Sequence, residues 1–194
     1  MRFVASAFGS AGDFLPTLAV ARSLAREGHD VSFLTNPFHE RSVRAAALDY
    51  RAAGAPVDLY QLISKDSDLL TSPRVLKVME DLARDHFMAT HHAALAMLRA
   101  ERVDAVVASN LDHGVHWAAM ARRVPAVMVA ATPLCWLSPD APAQFLDFEL
   151  PPSLLPWALR LTRAVGVGLL DHALRSLARS VGATSFDCSY SAVE

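Results

Sequence analysis

The chain is short of the features that would narrow its chemistry at once. Cys135 and Cys188 are its only two cysteines in 194 residues. They form no C-x-x-C pair, and two thiols build neither a disulfide framework nor a closed zinc site. A reducing, cytoplasmic compartment is the expectation. Charge of one sign is also scarce. The formal net charge is −2, so the basic stripe expected of a nucleic-acid binder is missing. No apolar run approaches the ~18 residues of a spanning helix. The opening run Met1-Arg2-Phe3-Val4-Ala5-Ser6-Ala7 is too short for the apolar core of a signal peptide. There is no internal repeat.

What is present is a globular composition, 53% apolar and 20% charged. Its length fits one domain at ~100–200 residues per domain. Residues 3–8 are mostly apolar and stop at Gly9, the look of a strand buried on both faces. A helix is predicted over 14–27, with Phe14, Leu18, Ala21, Leu24 and Ala25 on one face and Gly28 as its stop. Strands follow at 30–35 and, weakly, 48–52, with a short helix over 40–47 between them. The polar stretch 54–71 reads as a loop or lid. Ser72-Pro73 then opens a long helix, serine as N-cap and proline in the first turn. Its stripe is Val75, Val78, Met79, Leu82, Leu95 and Leu98. Strands are predicted at 105–109 and 126–131, flanking a helix over 114–123. Such alternation predicts an α/β, Rossmann-like parallel sheet with helices on both faces. A proline-rich connection over 137–156, a helical region over 154–181 and an aperiodic tail complete the chain.

In open parallel sheets, ligands bind beyond the carboxyl ends of the strands, where the strand order reverses. With the first and fourth strands adjacent, the loops 9–13 and 110–114 meet there. The first is not a dinucleotide fingerprint. Gly9-Ser10-Ala11-Gly12 is spaced G-x-x-G, and the second strand ends in Thr35-Asn36 rather than an acid. Asp13 would also repel a pyrophosphate at the helix start. On local pattern alone, Asp13 reads as a helix N-cap in a tight turn. A carboxylate there is also able to take a proton from a hydroxyl within ~2.6–3.2 Å. The two roles are compatible.

The segment Gly9-Ser10-Ala11-Gly12-Asp13-x-x-Pro16, then Leu18-Ala19-x-Ala21-x-x-Leu24, then Gly28-His29-x-Val31-x-Phe33-x-Thr35 resembles the opening of GT-B glycosyltransferases. The nearest branch holds sterol, antibiotic-aglycone and rhamnolipid glycosyltransferases. The resemblance is specific over residues 1–36 and holds only in element order to about 135. It implies two facing Rossmann-like domains, the first binding the acceptor and the second the nucleotide-sugar donor. On that basis residues 1–194 are expected to be one acceptor-side domain, without the donor domain. The resemblance implies inversion by direct displacement, with Asp13 as general base. It implies Gly9, Ser10, Gly12, Asn110, His113, Thr132 and Trp136 around an apolar or glycolipid-like acceptor. It calls for no cofactor and no protein-bound metal. The isolated chain is expected to be inactive and to meet a nucleotide sugar only beside a second domain.

Other residues carry weaker signals. Asp112-His113-x-x-His116 has a spacing that holds metals, but Asp112 reads more simply as a cap or first-turn acid. His86, His91 and His92 lack the H-E-x-x-H spacing and read as surface or core-edge groups. Trp136 and Leu134 either line an apolar pocket or anchor a loop. Residues 154–177 read as a packed helix pair, with an acceptor wall or a peripheral membrane contact as the alternative. Two other functions compete with transfer. One is a non-catalytic acceptor-binding or auxiliary module of a split or truncated enzyme. The other is a different Rossmann-like nucleotide binder, which the loop spacing disfavours.

Overall fold

The computed structural model describes residues 1–58, 61, 64–65, 74–131, 151–154, 157 and 176–182. Met1–Ala131 is one compact unit and Thr132–Glu194 a second. The first unit alternates strand and helix: β1 Arg2–Ala7, α1 Ala11–Arg26, β2 Asp30–Thr35, a 3-10 turn Pro37–His39, α2 Glu40–Ala45 and β3 Asp49–Ala52. It continues with α3 Arg74–Ala100, β4 Ala105–Ser109, α4 His113–Arg122 and β5 Ala126–Val129. In the second unit a 3-10 turn Pro152–Leu154 is described. Of the expected loop 54–71, the residues beyond 58 apart from 61 and 64–65 lie outside the described residues, as do the helix cap Ser72-Pro73, the expected connection 137–156 apart from 151–154, and most of the region 154–194.

All strand pairings are parallel, in the order β3-β2-β1-β4-β5. β1 is central, and the order reverses across it, as the adjacency of first and fourth strands required. Side chains alternate across a strand, so β1 supplies two cores. Phe3, Ala5 and Ala7 pack with Phe14, Ala21, Phe33 and Val43 beneath α1 and α2. Val4 packs with Leu34, Val106, Ala94, Leu98, Val115 and Ala118 beneath α3 and α4. Each fully buried apolar side chain of this size stabilises by ~1.5–3 kcal/mol.

Two glycines set the geometry locally. Gly28 ends α1 at φ +83°, and the amide of His29 after it donates to the Leu24 carbonyl at 3.1 Å. That is the left-handed helix stop the sequence predicted. Gly114 lets α4 touch α3. A Cβ there would stand 2.1 Å from the Phe87 carbonyl oxygen and 2.4 Å from Thr90 Oγ1.

At the amino ends of the strands, charge replaces apolar packing. The Arg2 amide donates to Asp104 at 2.8 Å, and its guanidinium pairs with Asp30 and Glu101. Arg51 pairs with Asp49, which also accepts from Ser32.

Candidate functional site

The first loop is shorter than expected because α1 begins at Ala11 rather than near 14. Gly12 and Asp13 therefore already lie in the first helical turn. Ser10, and not Asp13, is the N-cap. Its hydroxyl accepts from the Gly12 amide at 3.2 Å. Asp13 is the third residue of the helix and closes a capping box: its Oδ2 accepts from the Ser10 amide at 3.2 Å and the Ser10 hydroxyl at 3.1 Å. The carboxylate lies over Gly9, whose φ is +116°. A Cβ at Gly9 would stand 2.6 Å from Asp13 Oδ2. The glycine serves both the left-handed backbone and the space above it. Asp13 remains half-buried at the carboxyl end of β1.

The second loop holds a buried carboxylate. Asp112 precedes α4, but its side chain does not cap the helix. It turns inward instead and is fully buried. Ser6 Oγ of β1 donates to Asp112 Oδ2 at 2.5 Å, and Thr90 Oγ1 of α3 donates to Oδ1 at 2.9 Å. The single Ser6 hydroxyl proton also faces the Leu34 carbonyl at 2.7 Å. His86 Nε2 of α3 is 3.6 Å from Oδ2. Burial pushes the Asp112 carboxyl up, but His86 and the hydroxyls of Ser6 and Thr90 outweigh it and hold it below the usual range. The reading of Asp112 as a cap is thereby corrected.

His86 and His91 are likewise not surface groups. Both are buried on α3. His86 stacks on Phe8 with ring centroids 4.1 Å apart and planes at 25°. His91 Nδ1 is 3.3 Å from the Gly114 carbonyl, and burial lowers its pKa against that carbonyl's opposite pull. His116 Nε2 sits 3.3 Å from the Ser109 carbonyl, and burial lowers its pKa too. Among the described residues no group of three His, Cys, Asp or Glu side chains has the arrangement of a metal site.

The other expected site residues divide clearly. Gly9, Ser10 and Gly12 form the turn just described. Asn110 is buried at the end of β4, its amide donating to the Val129 carbonyl at 3.1 Å. His113 is half-buried, stacked against Trp117 and edge-on to Phe87 at 5.2 Å. Thr132 and Trp136 lie outside the described residues. The link from Ser6 to Asp112 ties the root of the first loop to the second.

His39 was not singled out from the sequence. It ends the 3-10 turn after β2, and its ring lies flat on Phe14, 4.0 Å away with planes at 9°. It also meets the Gly9 backbone. A histidine in no motif and on no periodic face gives no sequence signal.

No protein-family model matches the sequence, and no curated protein matches it either. Solved structures do resemble it. The calicheamicin glycosyltransferase CalG4 superposes with a TM-score of 0.52 at 21% identity, over 66% of this chain and 31% of that one. The glycosyltransferase SsfS6 of Streptomyces sp. SF2575, complexed with thymidine diphosphate, gives 0.58 at 18%, over 96% of this chain and 47% of that one. SnogD from Streptomyces nogalater gives 0.53 at 20%, over 84% and 40%. The fold is that of the GT-B glycosyltransferases. This chain spans less than half the length of each of these relatives. Among its described residues no helix is long and apolar enough to cross a membrane.

Proposed function

We propose that this chain is the acceptor-side domain, over residues 1–194, of an inverting glycosyltransferase. The reaction moves a sugar from a nucleotide-sugar donor to a hydroxyl of an apolar or lipid-like acceptor. Asp13 takes the acceptor proton as the glycosidic bond forms. The observation that carries this reading is the position of Asp13, in the first turn of α1 just beyond the carboxyl end of the central strand of a glycosyltransferase fold. An alcohol is a poor nucleophile while neutral, and a placed base contributes ~10²–10⁴-fold. Gly9, Ser10, Gly12, Asn110, His113, Thr132 and Trp136 are proposed to line the acceptor side. The donor would be held by a second domain facing this one.

The test is Asp13→Asn in a chain completed by a donor domain. Turnover should fall strongly while acceptor binding persists. Full turnover would reduce Asp13 to a cap and move the search for a base to His113. Calorimetric titration of this chain with nucleotide sugars separates this reading from a nucleotide-binding domain, which alone would bind one of them tightly.

A further inference from the structure

The loop that carries Asp13 is gripped from both sides by histidines. On the β2 side, His39 lies flat on Phe14, the residue after Asp13, at 4.0 Å. The same ring faces the backbone carbonyl of Gly9, the residue over which the Asp13 carboxylate rests. One side chain thus touches both ends of the segment 9–14. On the α3 side, His86 stacks on Phe8 at 4.1 Å and is backed by Asp112 at 3.6 Å.

His39 is firmly mounted. Its turn is capped by Asn36, which is buried. Asn36 Oδ1 accepts from the amides of Phe38 at 3.1 Å and Val57 at 2.9 Å, and Nδ2 donates to the Ala55 carbonyl at 2.7 Å. Two further segments, 55–57 and 9–14, therefore converge on one short turn whose last ring bears on the Asp13 segment. Phe38, exposed at 41%, meets the His39 ring edge-on at 5.1 Å.

We infer that His39 is a positioning residue for Asp13: its neutral ring braces Phe14 and Gly9 together and keeps the Asp13 carboxylate over Gly9. This deepens the reading of Asp13 as base and rests on it for its functional meaning. The groups bearing on His39 are the Gly9 carbonyl and His86 on α3, with Asp112 behind His86 at 3.6 Å. Burial disfavours the imidazolium, the Gly9 carbonyl favours it, and the charge of His86 disfavours it; the balance lowers the pKa of His39. The ring is therefore neutral at neutral pH, and the brace is set. Protonation places a cation where burial and His86 both oppose it.

The test is a pH titration of the isotopically labelled 194-residue chain by NMR. It follows the Gly9 and Ser10 amides, the Asp13 carboxyl carbon and the imidazole signals. In the wild type the three loop signals should show a step that coincides with the His39 titration. His39→Phe keeps a flat ring on Phe14 but cannot titrate, so the step should vanish while the signals stay near their neutral-pH positions. His39→Ala should displace the three signals at every pH. His86→Phe should leave the step in place. A step that survives His39→Phe, or His39→Ala signals that coincide with the wild type, would overturn the inference. The measurement reads the loop and not sugar transfer. Its failure is therefore distinct from retention of turnover in Asp13→Asn, which sinks the base and not the brace.

Discussion

Ser6 Oγ and Asp112 Oδ2 meet at 2.5 Å, joining the ends of β1 and β4 through a carboxylate that solvent does not reach. A core built for stability alone needs no such group, because removing a charge from water costs several kcal/mol. Strongly perturbed ionisable groups gather at functional sites more often than elsewhere. This one lies where the strand order reverses.

Asp112→Ala removes the charged acceptor that Ser6, Thr90 and His86 share and leaves the two hydroxyls only the backbone carbonyls of Leu34, His86 and Phe87. Breaking a buried charged cluster in this way costs ~3–5 kcal/mol. Ser6→Ala removes one donor of several and should cost about 1 kcal/mol. Urea unfolding of the two variants should separate them in that order. Equal losses would mean that Asp112 is not the centre of the network. The Asp112 carboxyl has a lowered folded pKa. Its contribution is therefore present above the unfolded value, near 3.9, and is lost as pH falls from there through the folded value.

The histidines set a second pH window with the same sign. His39, His91 and His116 are all held below the ordinary imidazole value, burial being the largest cause in each. The unfolded chain then binds protons first, at about pH 6.5. Stability should be level above that point and fall as pH drops from it through the folded values. Denaturant midpoints measured from about pH 8 to about pH 5 should show the decline. Replacing His91 with a neutral residue of similar volume should shrink it.

Gly114→Ala should be among the most damaging single-methyl changes in the first unit. The new carbon would stand 2.1 Å from the backbone oxygen of Phe87, which cannot swing aside as a side-chain tip does. Overpacking of this kind costs ~1–3 kcal/mol. A Gly28→Ala control meets no atom within 4 Å and isolates the backbone cost of a positive φ. Thermal melts of both give the comparison.

At the start of α1 the capping cost belongs to Ser10. Ser10→Ala should lose ~0.5–2 kcal/mol, the usual penalty for deleting an N-cap hydroxyl. Asp13→Asn keeps an acceptor for the Ser10 amide and should melt close to the wild type. If Asp13→Asn proves the more destabilising of the two, the carboxylate charge is a structural element in its own right.

The sheet was legible in the sequence because short apolar runs between Gly, Pro and polar breaks have one good explanation in an α/β chain. The adjacency of β1 and β4 followed from the reversal that such sheets carry. The loop around Asp13 was located correctly, but its cap was displaced by three residues. Ser10 and Asp13 both suit a helix start, and only the backbone decides between them. The burial of Asp112, His86 and His91 escapes the sequence for a different reason. Periodicity marks which face is apolar, and these side chains occupy the buried face while being polar. Their partners are distant in the chain: Ser6 and Asp112 are 106 residues apart. Nothing local announces such a pairing. In the sequence Gly114 reads as an ordinary helix start, since a close approach between helices leaves no trace in one helix alone.

The long helix α3 touches the central strand's connections at two levels. Near its middle, His86 and Thr90 reach Asp112, which holds Ser6 near the end of β1. Just past its last turn, Glu101 holds Arg2 at the start of β1. The 15 residues from His86 to Glu101 span about 22 Å at 1.5 Å per residue. The rod and the strand are thus pinned together at both ends, like a beam bolted across a plank. Bending one without the other requires a bolt to be drawn first.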